Sequence, residues 1–306
     1  MTELILHHYP TSPFSEKIRS ALGFKRASWR AVTIPMIMPK PELMPLTGGY
    51  RRTPVLQIGA DIWCDSQIIL REVDRHHPKP PIFPTAHEGV AAALAYWADR
   101  SVFWSAVGVV MGEIGDKLPA AFHKDRAEFS GRPADPARIK AMQPMARDQL
   151  QAQLAWPERM LADGRSFLLG ATPSAADYAL YNPVWFVRSR LGAQAAPLDR
   201  YPLLARWAER MQAGDNGTAT DMTAEEALDI ARVATPLPTA GIAEGQAGGW
   251  RNGQKVAVTP DDTGKVPVIG ELATLNVEEI AIRRNDPRVG EIVVHFPRAG
   301  FVITAG

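Results

Sequence analysis

Short apolar runs and helical spacings alternate over the first 80 or so residues. Leu4, Ile5 and Leu6 lead into His7-His8 as a short buried strand. Pro10 and Pro13 then interrupt any pairing ladder, and Ser15-Glu16 suits the first turn of a helix over 15–22. Strands are expected at 28–34, 53–58 and 61–64, followed by a helix at 66–76. Gly59-Ala60, set between Leu56-Gln57-Ile58 and Ile62-Trp63-Cys64, suits a tight hairpin turn, so the order is βαβ, a hairpin and a helix. Pro78, Pro80 and Pro81 allow no helix through 77–84, which reads as a linker.

From Glu88 to Ala234 the pattern predicts helix throughout. An apolar helix over 91–112 carries Trp97, Phe103 and Trp104, and a second over 137–161 is bent or begun afresh near Pro144. Ser174 and Asp177 have capping-box spacing, as do Thr223 and Glu226, and Tyr201-Pro202 opens a further helix. Beyond Thr235-Pro236-Leu237-Pro238 the texture turns Gly-rich and then alternating. Five strands are expected at 255–259, 266–274, 277–283, 291–296 and 301–304, with turns at Asp262-Thr263-Gly264, Asp286-Pro287 and Arg298-Ala299-Gly300. The chain therefore divides into an α/β domain over 1–78, an all-helical domain over 86–234, a linker over 235–249 and a small all-β barrel or sandwich over 250–306.

Length and charge fit this division: 306 residues and a formal net charge of +1 suit two or three modest domains. Acidic residues offset the basic ones of the β module, which argues against nucleic acid as a partner. Met1-Thr2-Glu3 runs straight into a strand without a cationic and apolar leader, and no apolar run is long enough to span a bilayer, so a cytoplasmic protein without a membrane partner is expected. The single cysteine, Cys64, excludes an intramolecular disulfide and a cysteine zinc cluster, and lies in an apolar strand as an inert core residue. His7-His8 and His76-His77 are adjacent pairs whose side chains diverge, so no metal is expected. His295, on an alternating strand, reads as a packing residue.

Candidate chemistry gathers at Ser12, which falls just before the first helix. Unpaired N–H groups and the positive end of the helix dipole favour an anion there, such as a thiolate or carboxylate, although the motif taken alone favours the simpler reading of Ser12 or Ser15 as a helix cap. Three further features accompany it: Arg52-Thr53-Pro54-Val55-Leu56, the acidic-Ser pair Asp65-Ser66, and the box at Ser174 to Asp177 with the helix from Tyr201 to Met211. Together with Ser12-Pro13-Phe14-Ser15-Glu16-Lys17-Ile18-Arg19, these resemble the cytosolic glutathione S-transferase family in its serine-type form, with a zeta- or omega-like opening. The resemblance covers roughly the first 230 residues, and residues beyond Pro236 lie outside it.

The resemblance implies a thioredoxin-like N-terminal domain and an all-α C-terminal domain, followed here by the extra β module. It also implies a homodimer with glutathione as co-substrate and a small apolar electrophile as second substrate. A free thiol near ~8.5 must be shifted down to become a nucleophile. In serine-type members the hydroxyl aligned with Ser12 holds the glutathione thiolate rather than attacking. The backbone of Thr53, beside a cis Pro54, would pair with the peptide like an added strand, and Asp65 and Ser66 would bind the γ-glutamyl end. Arg52 and Lys40 are candidates for the glycine carboxylate. Anchored on Arg19, the family's catalytic tyrosine aligns with His8 rather than Tyr9, and its catalytic cysteine aligns with Ser12. Tyr9, Trp97, Phe103 and Trp104 are candidates to line the electrophile pocket. Isomerase or dehalogenase variants of the chemistry share this site, and a different class of function, a non-catalytic dimerisation or docking protein whose β module binds a partner, is the alternative.

Overall fold

A computed structural model describes residues 3–192 and 200–306; Met1 and Thr2 of the opening lie outside the described residues. Strand β1 (Leu4–His8) is central to the N-terminal layer. It pairs in parallel with β2 (Ser28–Thr33) across α1 (Pro13–Phe24), and antiparallel with β3 (Val55–Ile58), which turns at Gly59 into β4 (Asp61–Cys64). Helix α1 begins with Ser12 as N-cap, as the sequence suggested, but two residues earlier than expected, with Pro13 in its first turn. A short α2 (Leu43–Thr47) and α3 (Ser66–His76) complete this layer. The strands are buried on both faces. Leu4, Leu6 and Leu56 pack with Ile18, Leu22 and Val73 on the helical side, whereas Ile5, Val32, Val55 and Ile62 face the opposite core.

The helical domain follows as α4 (Glu88–Trp97), a wide π turn at Ala98–Val102, α5 (Phe103–Ile114), α6 (Ala120–Ser130), α7 (Pro136–Met160), α8 (Ala175–Leu191), α9 (Pro202–Gln212) and α10 (Ala224–Val233). Helix α7 runs through Pro144 without a break. Asp177 closes the predicted box at the start of α8. Its buried carboxylate accepts from the Ser174 amide and hydroxyl at 2.8 Å each and from the Leu168 amide and Trp207 Nε1 at 2.9 Å each. Within the stretch expected to be helical throughout there are two points of difference. Helix α6 is a separate element whose bounds no motif marked, and residues 218–221 are not helix but a strand, β5 (Thr218–Asp221), paired in parallel with β2. Gly217 makes the latter possible, for at its φ of +71° a Cβ would lie 2.5 Å from the Ala27 carbonyl oxygen.

All five strands expected near the C-terminus form: β7 (Lys255–Pro260), β8 (Val268–Leu275), β9 (Glu279–Asp286), β10 (Gly290–Pro297) and β11 (Phe301–Ala305), preceded by a two-residue β6 (Gly241–Ile242) beside β8. They run in the order β11-β7-β8-β9-β10, and β10 and β11 are also joined by a short turn, so the sheet curls until Phe296 and Phe301 meet at 5.4 Å. The sequence did not reveal where this module attaches. Strand β10 pairs in parallel with β4, Val294 opposite Ile62 and His295 opposite Trp63, and the strands of the chain become one hydrogen-bonded sheet. The physical reason is that β4 would otherwise be an open edge with an apolar face beside it. Val294, Ile292 and Phe296 cover that face, in one core with Tyr50, Val55 and Ile62.

His295 packs as expected, stacked on Trp63 at 4.5 Å, and it also bridges two carboxylates. Its Nε2 lies 2.9 Å from Asp61 and its Nδ1 bonds Glu279. Burial opposes its charged form, but the hydrogen bonds and charges of Asp61 and Glu279 outweigh burial and raise its pKa above the ordinary 6.5. A folded-state pKa above the unfolded one stabilises fully below the unfolded value and is lost as pH rises through the folded value. The stability difference between the wild type and His295→Gln, read by urea unfolding, is therefore expected to be largest at pH 6 and to shrink toward pH 9. A difference that grows with pH would refute the assignment of charge.

Candidate functional site

One cavity of about 560 Å³ lies between the N-terminal layer and helices α5 to α8, within the size range of small-ligand pockets. It brings together Tyr9, Ser12, Arg52, Thr53, Pro54, Asp65, Ser66, Phe103 and Trp104 from the sequence reading. Ser12 is 2% exposed. Its Oγ accepts from the Ser15 amide at 3.2 Å, while its own hydrogen has no acceptor among the described residues. The hydroxyl can thus cap the helix and still donate to a ligand, so the two readings of Ser12 are compatible.

The peptide bond between Thr53 and Pro54 is cis. Asp65 caps α3 by accepting from the Gln67 amide at 3.0 Å, and it does so at a φ of +97°. That conformation is rare for a residue with a side chain, and strain of about 1–3 kcal/mol of this kind clusters at ligand sites. The Ser66 hydroxyl accepts from Lys17 Nζ at 3.1 Å, and the fully buried Lys17 pairs at 2.5 Å with Asp99 from the π turn. Lys40, 3% exposed, donates to the Arg51 carbonyl at 3.0 Å and to Thr53 Oγ1 at 2.9 Å. Burial, followed by the nearby Arg126 and Arg51, lowers its pKa to about 8.

Arg52 is engaged rather than open to a carboxylate. Its guanidinium donates to Asp262 and to the Thr263 carbonyl in the turn between β7 and β8, and lies 3.7 Å from Asp65. The same turn reaches over the cavity, with Asp261 pairing Arg100 at 2.6 Å and the Gly264 amide donating to the Phe129 carbonyl at 2.7 Å. The C-terminal module is therefore part of the cavity wall.

Trp97 does not line the cavity. It packs against Trp156 with ring centres 5.3 Å apart, because the π turn after it changes the helix register and brings Phe103 and Trp104 round to the cavity instead. Phe103 meets Phe14 at 4.5 Å and Phe186 at 6.3 Å. His8, aligned with the family's tyrosine, is buried against Trp29 and bonded to Arg19; burial and then Arg19 lower its pKa to about 4. Cys64 is fully buried, and burial pushes its thiol up, as an inert core residue requires. Lys17, Arg51, Asp99, Asp125, Arg126 and Asp262 also line or support the site and were not anticipated. Of these, Lys17, inside the Ser12 to Arg19 motif, and Arg51, next to the Thr53-Pro54 signal, had a local mark. No helix among the described residues is long and apolar enough to cross a membrane.

Residues 6–81 match the family model of the glutathione S-transferase N-terminal domain, and residues 85–210 match that of the C-terminal domain. A GST-like protein of known structure from Pseudomonas syringae is 39% identical, covers 99% of this chain and 100% of its own, and superposes with a TM-score of 0.78. That similarity spans the C-terminal module. The Tau class glutathione S-transferase of mango, Mangifera indica, shares the fold at 19% identity and a TM-score of 0.54, covering 70% of this chain and 90% of its own. Among curated proteins, FtsZ-localized protein A of Caulobacter vibrioides is 26% identical over 182 residues, 58% of this chain and 74% of the relative.

Proposed function

The chain belongs to the glutathione S-transferase family, and we propose that it is a glutathione-dependent transferase in which Ser12 holds the thiolate. The observation that carries this reading is that Ser12, the cis Thr53-Pro54 step and Asp65-Ser66, distant in sequence, line a single cavity. Glutathione would lie extended along the Thr53 backbone. Its γ-glutamyl carboxylate would take Ser66 and the amides opening α3, its ammonium Asp65, and its glycine carboxylate Lys40. The Ser12 hydroxyl donates to the sulfur, and the N-terminus of α1 adds positive potential, so the thiol proton leaves to solvent below its ordinary pKa. The sulfur then attacks the electrophile held against Phe103 and Phe186: a carbon–sulfur bond forms and the leaving group departs with its electron pair. Within this reading the protein works in the cytoplasm, as a homodimer.

Calorimetric titration of glutathione tests the site. Wild-type protein is expected to bind, and Asp65→Asn to bind roughly tenfold more weakly, because a charged partner of the ammonium becomes neutral. A second reading is favoured by the relative named for its localisation to FtsZ: a docking protein that uses the fold without the chemistry. Absence of glutathione binding by the wild type would select that reading.

A further inference from the structure

One end of the cavity carries more positive charge than glutathione neutralises. Lys40, Arg51 and Arg126 all line it, and a single carboxylate, Asp125, lies among them. Asp125 is 6% exposed, pairs directly with Arg51, accepts from the Met38 amide at 2.9 Å, and lies 3.7 Å from Arg126 Nε. Arg126 also donates to the Met36 carbonyl at 3.1 Å, and its guanidinium lies 5.0 and 5.6 Å from the ring centres of Phe122 and Phe129. Arg51 lies 5.5 Å from Phe129. The two guanidiniums are thus held against aromatic rings with planar donor forks, an arrangement suited to carboxylate recognition. Lys40 gives two of its three protons to oxygens of Arg51 and Thr53 and pairs with no carboxylate among the described residues.

Three cations facing one carboxylate leave two positive charges. Under the transferase reading, on which this inference rests, the glycine carboxylate of glutathione neutralises one at Lys40. The second remains on the arginine pair, in a wall whose apolar part includes Phe103, Val107, Met111 and Phe122. A neutral second substrate would displace water from that guanidinium and return no counter-charge, which is costly in a low-dielectric site. We propose that the second substrate is an aromatic acid, its anionic group received by Arg126 and Arg51 and its ring lying along the aromatic wall. This extends the sequence expectation of a merely apolar electrophile. For a halogenated member of the class the step balances: the glutathione sulfur bonds to the ring carbon, the carbon–halogen bond breaks, and halide leaves with the electron pair.

The test uses the full chain and a matched pair of probes, 4-chloro-3,5-dinitrobenzoate and its methyl ester. Binding of the chlorine-free analogues, 3,5-dinitrobenzoate and its ester, is titrated with and without S-methylglutathione. The acid is expected to bind roughly tenfold more tightly than the ester, and Arg126→Gln to reduce that preference to less than about twofold with the near-UV spectrum unchanged. Catalysed rates for the chlorinated pair, each divided by its uncatalysed rate with glutathione, are expected to show the same preference and the same loss. Equal binding of acid and ester, or a preference that survives Arg126→Gln, overturns the inference. So does a variant that weakens glutathione instead, because it would put Arg126 on the glycine carboxylate. Failure of the wild type to bind glutathione defeats the transferase reading separately, since the acid and ester are still compared in its absence.

Discussion

Ser12→Ala is expected to lower turnover of a model electrophile roughly 10- to 100-fold at pH 6.5 and far less at pH 9. A hydrogen bond to a charged group contributes about 1.5–3 kcal/mol, and each 1.4 kcal/mol is tenfold in rate or one pKa unit. Removing the Ser12 donor therefore raises the pKa of the bound thiol by about one to two units. Below that pKa the thiolate fraction falls in proportion, and above it the thiol ionises without help. A pH–rate profile shifted to higher pH in Ser12→Ala, with Ser12→Thr close to wild type, distinguishes thiolate stabilisation from loss of the α1 cap. Cap loss alone costs about 0.5–2 kcal/mol of stability and would lower the melting temperature without moving the profile. Unchanged turnover at pH 6.5, with glutathione still bound, would remove Ser12 from the mechanism.

The parts of the site that were legible in the sequence are those that leave a local mark. Ser12 sits between two prolines at a strand-to-helix step, Pro54 stands at the head of an apolar strand, and Asp65-Ser66 opens a helix of strong periodicity. Each could be read within a window of a few residues. Asp262 had no such mark as a site residue, because it reads as a turn and meets Arg52 only when the curled module swings over the cavity. Arg126 was hidden for a different reason. Its helix α6 has almost no apolar stripe, and Phe122 and Phe129 face the cavity rather than a core, so the usual helical periodicity is missing. Trp97 and Trp104 looked equivalent on one apolar helix, and the π turn that separates their directions follows from packing rather than from a breaker residue. The alternation of β10 announced a strand, but a strand's own pattern does not name its partner, and its pairing with β4 was out of reach.

That pairing carries the largest expected effect on stability: a chain lacking residues 241–306 is expected to aggregate rather than fold as a compact two-domain protein. Its β4 would present unpaired backbone groups along an open edge, including the Ala60 carbonyl that now accepts from the Val293 amide at 3.0 Å. Beside that edge Tyr50, Val55 and Ile62, all now buried, would lose the apolar cover of Ile292, Val294 and Phe296. Arg52 would at the same time lose Asp262 and keep only the longer contact to Asp65. A single substitution scales the effect. Phe296 is fully buried, 6.0 Å from Tyr50 and 5.4 Å from Phe301, so Phe296→Ala should cost about 3–5 kcal/mol, a large part of the 5–15 kcal/mol typical of a domain. Phe296→Ala is therefore expected to remain folded at low temperature with a clearly lower melting point, while the truncated chain elutes as aggregate and lacks a native near-UV spectrum. A soluble truncated chain with a native spectrum and undiminished glutathione binding would show instead that the module is an appendage and that the glutathione site is complete without it.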